Sequence, residues 1–292
     1  MKAKGIVLTI LSAVIYGFTP VIGRMTYTMG SNGITLAFFR YLFVLPLLFI
    51  LALMKKENMK LSGKQLRAIV EVSLGCSFTV ALLYSSYSYT AVGTATTIHF
   101  MYPLWVSLAI SMIFREKPQK PQLICLILCT VGILGFWERG QSAGMTGIGM
   151  AFLSSLTFSF YMIRYSRTAP LKIPPFTFAL VMSALVALEV GAFGMASGSL
   201  VLNLPARAHI YNLIVAVFAS IFVTMFLQAG ISYLGASLAA VFSMFEPLTS
   251  VIIGYLVLHE NLTITKAAGC FLILGGVIYL IAQDAKKSLI QE

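Results

Sequence analysis

The second half of this chain repeats the first in degraded form, and each copy holds an odd number of hydrophobic spans. Gly93-Thr-Ala-Thr-Thr-Ile-His-Phe-Met-Tyr-Pro103 aligns with Gly235-Ala-Ser-Leu-Ala-Ala-Val-Phe-Ser-Met-Phe-Glu-Pro247, Phe114-Arg-Glu116 with Leu258-His-Glu260, and Gly132 with Gly276. The prolines, the glutamates and the later glycines share an offset of 144 residues, and the Gly93/Gly235 pair needs a two-residue gap. The openings match at an offset of 142: Gly5-Ile6, Leu11-Ser12 and Phe18 recur as Gly147-Ile148, Leu153-Ser154 and Phe160. An odd span count reverses the direction in which the second copy enters a bilayer. Inverted repeats with a substrate site at their interface are an architecture of secondary transporters.

The bilayer is required by composition. Hydrophobic residues make up 59% of the 292 and charged residues 10%, with a mean hydropathy of +0.93; soluble domains carry roughly 25% charged residues. A helix needs about 20 mainly apolar residues to cross the hydrocarbon, where each backbone amide must be satisfied within the segment. Ten such stretches are expected, at 5–23, 34–54, 68–90, 92–114, 121–138, 146–166, 175–197, 209–232, 236–258 and 264–282. Asn32-Gly33, Pro118 to Pro121, Gly140 to Gly144, Pro174-Pro175 and Asn203 to Pro205 punctuate them as loops, and none is long enough to fold as a domain. The expected fold is an all-α integral membrane protein. Its ten transmembrane helices form two inverted five-helix repeats, 1–140 and 141–292, around a central cavity. Residues 5–138 should superpose on 147–282 after a rotation of about 180° around an axis in the membrane plane.

A net charge of +11 does not point to nucleic acid, because the basic residues sort by loop. With the N-terminus cytoplasmic, one side collects Lys2, Lys4, Lys55, Lys56, Lys60, Lys64, Arg67, Arg115, Lys117, Lys120, Arg164, Arg167, Lys172, Lys286 and Lys287. The other holds Arg24, Arg139, Arg207 and Lys266, and Arg40 sits within a span. This excess of 15 over 4 in short loops follows the positive-inside rule and places both termini in the cytoplasm. The location is then the cytoplasmic membrane. Lys2 and Lys4 before an apolar run resemble the start of a signal peptide, but no Ala-x-Ala cleavage site follows, so a retained first helix is expected. Cys76, Cys125, Cys129 and Cys270 all fall within spans and are expected as small apolar residues. Asn261-Leu-Thr263 matches a glycosylation acceptor, set close against the membrane.

Ionisable residues inside spans are expensive and mark functional candidates. These are Arg40 in the second span, His99 in the fourth, Glu189 in the seventh and Glu246 in the ninth, joined by the uncharged Gln228 in the eighth. Glu71 lies near a span end and can pair with Arg67 four residues away. Arg40 either reaches the outer headgroups with its long stem or serves in a structural pairing. Glu189 stands alone in a Leu/Val/Ala-rich stretch. His99 lies four residues before Pro103, and Glu246 immediately before Pro247, so two copies of one motif set polar groups at similar depth. A proline removes a backbone donor and strands carbonyls about a turn earlier, and these survive in a membrane only beside protein or a wet cavity. Kinks are expected at Pro103 and Pro247. Histidine changes charge near neutral pH, which suits His99 and Glu246 to proton coupling. The alternatives are a His99 hydrogen-bonded within a helix interface and a Glu246 that caps or packs the bundle. No acidic neighbour at helical spacing points to a metal, and no cofactor is expected.

Aromatic residues gather at the same depth: Tyr16 and Phe18 before Pro20, Tyr84 and Tyr87 in the third span, Tyr102 and Trp105 around Pro103, Phe158, Phe160 and Tyr161 in the sixth, Phe242 and Phe245 in the ninth. Most aromatics in membrane proteins pack or form interfacial belts. Beside a proline at mid-bilayer they also make a wall for an apolar or aromatic substrate, and attract cations by about 0.5–2 kcal/mol per ring. The expected cavity lining is Tyr16, Tyr84, His99, Tyr102, Trp105, Phe158, Tyr161, Gln228, Phe242 and Glu246.

Ten spans in two copies, the Thr35-Leu-Ala-Phe-Phe-Arg40-Tyr run and the two Pro…Glu endings resemble the drug/metabolite transporter superfamily, EamA-like branch. The endings are Tyr102-Pro103 through Arg115-Glu116 and Glu246-Pro247 through His259-Glu260. The resemblance covers essentially the whole chain. It implies a helical basket with both termini cytoplasmic and a cavity walled mainly by the first, third, fourth, sixth, eighth and ninth helices. The fifth and tenth helices are implied at the periphery, where two copies can associate as a homodimer. Family substrates include amino acids, other small metabolites and toxic organic compounds, often moving outward. The second copy has no arginine matching Arg40, and the lysine and arginine anchors of the related sugar-phosphate translocators lack clear counterparts. An enzyme finds no support: His259-Glu-Asn-Leu-Thr departs from His-Glu-x-x-His, no Gly-x-Ser-x-Gly is present, and Asp284 is the only aspartate. The expectation is a secondary transporter exporting amino acids, amines or related drug-like compounds by alternating access. The alternative is a passive channel or facilitator.

Overall fold

The computed structural model describes residues 2–18, 22, 25–90, 92–115, 118–135, 144–168, 171–258 and 263–291. Pro20, Arg24, Glu116, Lys117, Arg139 and the His259 to Leu262 stretch, with the acceptor Asn261, lie outside the described residues. Among the described residues all the long elements are helical. In chain order these are α1 (Lys2–Gly17), α2 (Gly33–Phe43), α3 (Leu45–Met54), α4 (Gly63–Ser86), α5 (Val92–His99), α6 (Tyr102–Phe114), α7 (Lys120–Leu134), α8 (Met145–Ser166) and α9 (Pro175–Ala196). They continue as α10 (Ala206–Val215), a π-helical segment (Ala216–Val223), α11 (Thr224–Leu234), α12 (Ala236–Phe242), α13 (Phe245–Leu258) and α14 (Ile264–Gln291). Eight stretches are long and apolar enough to cross a bilayer: 33–54, 63–86, 94–114, 145–166, 175–196, 206–234, 236–253 and 264–283. The first and fifth expected spans are represented by the shorter helices α1, of 16 residues, and α7, of 15.

Prolines divide several of these columns. Pro46 stands in the first turn of α3, Pro103 in that of α6 and Pro247 in that of α13. The breaks before Pro103 and Pro247 each close through a three-residue turn: Met101 N donates to Ile98 O (3.1 Å), and Met244 N donates to Val241 O (3.1 Å). These tight turns keep amides satisfied where the proline supplies none. Tyr102 O lies 3.0 Å from Ser159 Oγ, whose hydroxyl is also 2.7 Å from Ser155 O. Both prolines are buried. Elsewhere, Asn32 caps α2 by accepting from Thr35 N at 2.9 Å. Ser62 and Gln65 form a capping box at the start of α4.

Small residues let the helices touch at backbone distance, as in other lipid-embedded bundles. An added Cβ would fall 2.7 Å from Gly269 O at Gly132 and 3.3 Å from Cys125 O at Gly276, so α7 and α14 run antiparallel. The same test sets Gly191 on Phe38 and Gly194 on Ile34, making α2 and α9 antiparallel. Contacts also exchange between halves. Gly5 abuts Tyr233 and Leu234, while Gly147 abuts Tyr89 and Thr90; Gly17 lies against Glu246 O, while Ser159 bonds Tyr102 O. α1 packs on α11 as α8 packs on α4, where Thr79 and Thr157 hydroxyls meet at 2.8 Å. This reciprocity is the mark of an isologous two-fold interface.

Loops sort to two ends. Gln65 Nε2 reaches Leu171 O (3.0 Å) and Glu71 bridges Arg67 (3.0 Å) and Arg164 at one end. Asn32 Nδ2 reaches Ser199 O (2.6 Å) and Gly144 N reaches Tyr89 O (3.2 Å) at the other. The outer faces are apolar, with Met112 79% and Phe271 75% exposed. Such continuous apolar surface suits lipid.

Candidate functional site

A cavity of about 300 Å³ lies between the halves. α1 contributes Ser12, Ala13 and Tyr16; α2 contributes Leu36, Arg40 and Tyr41; α4 contributes Cys76, Thr79, Val80, Leu83 and Tyr84. Opposite stand Thr96, His99, Phe100 and Tyr102 around the Pro103 break, Phe158 and Tyr161 of α8, Met182 of α9, Val223, Thr224 and Leu227, and Ser243, Glu246 and Ser250 around the Pro247 break. Each proline interruption thus delivers one side chain able to change charge, His99 from the first copy and Glu246 from the second.

Of the expected lining, Tyr16, Tyr84, His99, Tyr102, Phe158, Tyr161 and Glu246 face this cavity. Trp105, Gln228 and Phe242 are not among its lining residues. Phe242 is fully buried in the helix core. Trp105 packs edge-on against Phe152, with ring centroids 5.5 Å apart. Gln228 stands one layer back, its Nε2 3.4 Å from the sulfur of Met182, which does line the cavity. The rings of the wall are coupled: Tyr102 meets Phe158 edge to face at 4.6 Å, and Phe158 stacks on Tyr161 at 5.4 Å. His99 lies 5.6 Å from Tyr102 and 5.5 Å from Phe158. Its Nδ1 is 3.0 Å from Ser154 Oγ, and Ser154 donates to Ala151 O at 2.7 Å. Since a hydroxyl has one proton, His99 Nδ1 donates to Ser154, which fixes the ring's orientation. Both alternatives for His99 therefore hold together, interface bond and cavity face.

Arg40 turns into the bundle, the second of the two placements open to it from the sequence. It is 6% exposed and buried among protein groups, so reaching for headgroups is ruled out. Nη1 donates to Tyr16 Oη (3.0 Å), and Nη2 to Ala219 O (3.1 Å) and Thr224 Oγ1 (3.4 Å). The guanidinium carbon lies 5.1 Å from the Tyr16 ring centre and 5.0 Å from that of Tyr41. The π-helical segment makes this possible: Ala219 O, one of its carbonyls, turns to the arginine, and Val223 O accepts from Ser12 Oγ at 2.8 Å. Widened turns of this sort recur at functional sites. Burying an ion costs several kcal/mol, and here no carboxylate is bonded to the guanidinium among the described residues. Glu246 is near enough across the cavity to interact with it electrostatically. A buried cation and a carboxylate therefore face one space without closing into a pair. Among the described residues no cluster of three His, Cys, Asp or Glu residues could hold a metal.

The sequence profile of the EamA-like transporter family matches twice, over residues 3–137 and 145–282. The chain belongs to the EamA-like transporter family. The two matches fall on the two copies read from the sequence, and the protein is a multi-pass membrane protein of transporter descent. An uncharacterized transporter of Synechocystis is 23% identical over 325 residues, covering 99% of this chain and 96% of that one. The uncharacterized transporter YcbK of Bacillus subtilis is 22% identical over 303 residues, covering 96% and 92%. An uncharacterized transporter of Archaeoglobus fulgidus is 25% identical over 197 residues, 66% of this chain and 69% of its own. A crystal structure that is 14% identical in sequence superposes with a TM-score of 0.75, over 94% of this chain and 96% of the other; it speaks for the fold.

Proposed function

We propose that this EamA-like protein is a secondary transporter that exports small organic metabolites across the cytoplasmic membrane by alternating access. The observation that carries this reading is the cavity itself, set between halves whose contacts exchange reciprocally and whose matching helices run antiparallel. Two inverted five-helix units, 1–140 and 141–292, with α1 and α7 completing ten spans, account for that exchange. Rocking one unit against the other would open the cavity to each side in turn. The loops joined through Gln65–Leu171 and Glu71–Arg164 carry the basic excess, which supports a cytoplasmic position for that end and for both termini.

The chemistry of the wall favours amino acids, amines and related compounds. Arg40 meets an anionic group, Glu246 a cationic one, and Tyr16, Tyr84, Tyr102, Phe158 and Tyr161 the apolar or aromatic remainder. A pocket of mainly apolar wall with few fixed polar groups binds small molecules in a defined orientation. His99 and Glu246 serve as the charge-sensing pair, because rocking changes the hydration of both and a carboxylate made dry and unpaired takes up a proton. The exposed outer faces of α7 and α14 offer a homodimer contact within the lipid. The test is transport by purified protein in proteoliposomes. Saturable, counter-gradient movement of an amino acid or amine, accelerated by substrate on the opposite side, is expected. Non-saturable flux that only dissipates a gradient would identify a passive channel instead.

A further inference from the structure

One intramembrane carboxyl lies apart from the cavity, between α9 and α4. Glu189 Oε1 is 3.0 Å from Ser73 Oγ, and Oε2 is bonded to Ser77 Oγ. Ser73 and Ser77 stand one turn apart on one face of α4. Ser73 Oγ is also 3.0 Å from Val70 O, yet a hydroxyl has a single proton to donate. If Ser73 donates to Val70 O, its contact with Oε1 is a hydrogen bond only when the carboxyl supplies the proton. Ser77 then donates to Oε2, and all three contacts are satisfied together. An ionised carboxylate would instead turn the Ser73 proton away from Val70 O. It would rest on two neutral hydroxyls, with no ion pair to Glu189 among the described residues. An unpaired charge at this depth is costly, and the neutral acid avoids that cost.

We propose that Glu189, Ser73 and Ser77 form a proton-binding site distinct from the substrate cavity, occupied in this conformation by a proton on Glu189 Oε1. Release transfers that proton to water and leaves a carboxylate, to which the Ser73 hydroxyl rotates to donate. The ionised form is stable only if the contact between α9 and α4 opens to water or to a cation, so protonation is tied to how these helices pack. The groups around it provide a route to the cavity. From α4 the Cys76 thiol interacts with Glu189 electrostatically and lies 3.1 Å from Tyr41 Oη. From α2 the Tyr41 ring lies beneath the Arg40 guanidinium. α3 carries no titratable residue, and α9 carries none besides Glu189.

The site's coupling role rests on the transporter reading, but its occupancy is measurable without transport. Infrared difference spectra of the full chain in lipid, in H2O and D2O at neutral pH, should show a protonated-carboxyl C=O band. Glu189→Gln removes one component of that band, and Glu246→Gln keeps that component. The glutamine amide can donate to Ser73 and accept from Ser77, so this variant keeps the local bonds. Accumulation driven by a pH gradient should fall at least tenfold in Glu189→Gln and recover in part in Glu189→Asp. Loss of the band in Glu246→Gln but not Glu189→Gln would place the proton in the cavity and overturn the inference. So would a sodium-dependent thermal shift abolished by Glu189→Gln, which would assign these oxygens to a metal cation. The band without any transport would refute the transporter reading and leave the proton site standing.

Discussion

At the scale of single residues, Arg40 ties three columns of helix together through one fork. Tyr16, Ala219 and Thr224 come from α1, the π-helical segment and α11, and only a planar group with several fixed donors reaches all three. Arg40→Lys keeps the charge but loses one or two charge-assisted bonds, each worth about 1.5–3 kcal/mol. It should lower the thermal midpoint in detergent and reduce substrate transport by about an order of magnitude. Wild-type stability and kinetics in that variant would show that the fork is dispensable. Tyr161→Ala should raise the apparent KM for substrate at normal expression, whereas Trp105→Ala, outside the cavity, should leave KM unchanged; the opposite ranking would restore Trp105 to the wall. The sequence made His99, Glu246 and most of the tyrosines visible because charge and aromatic rings inside an apolar span are conspicuous. It left Arg40 open between headgroups and a structural pairing, because distance from a loop does not say whether a long stem turns outward or inward. Gln228 and Phe242 fall outside the lining through helical phase. One added residue turns a helix by about 100°, and Gln228 follows the π-helical segment, which no residue type announces, while Phe242 sits between the Gly235 turn and the Pro247 break.

Among the elements, the contacts that fix the halves are small-residue crossings, and they differ in slack. A Cβ at Gly132 would meet Gly269 O at 2.7 Å, a backbone atom that cannot rotate away, whereas one at Gly276 would meet its nearest atom at 3.2 Å. Gly132→Ala should therefore destabilise by about 1–3 kcal/mol, the usual cost of overpacking, and Gly276→Ala by clearly less. Thermal unfolding of the two variants in one detergent checks the order, and equal effects would show that α7 and α14 adjust freely. The breaks at Pro103 and Pro247 were legible because proline declares its missing donor. The interruption at Val44 was equally available from Pro46, but the apolar run across it reads as one span.

For the whole molecule, the internal repeat was the most legible property, because an offset of 144 residues survives extensive divergence in the residues between. Inversion makes a sharp claim about equivalent loops. The loop holding Lys60 corresponds to that holding Asn203, and the loop holding Thr28 to that holding Lys172. In the fold each meets the other half's non-equivalent loop, through Gln65–Leu171 and Asn32–Ser199. The direct test replaces Lys60, Lys172, Thr28 and Asn203 singly by cysteine in a background lacking Cys76, Cys125, Cys129 and Cys270, and labels intact cells with an impermeant thiol reagent. The inverted arrangement predicts labelling at Thr28 and Asn203 from outside, and at Lys60 and Lys172 only after the membrane is opened. Labelling of Lys60 and Asn203 from the same side would contradict it.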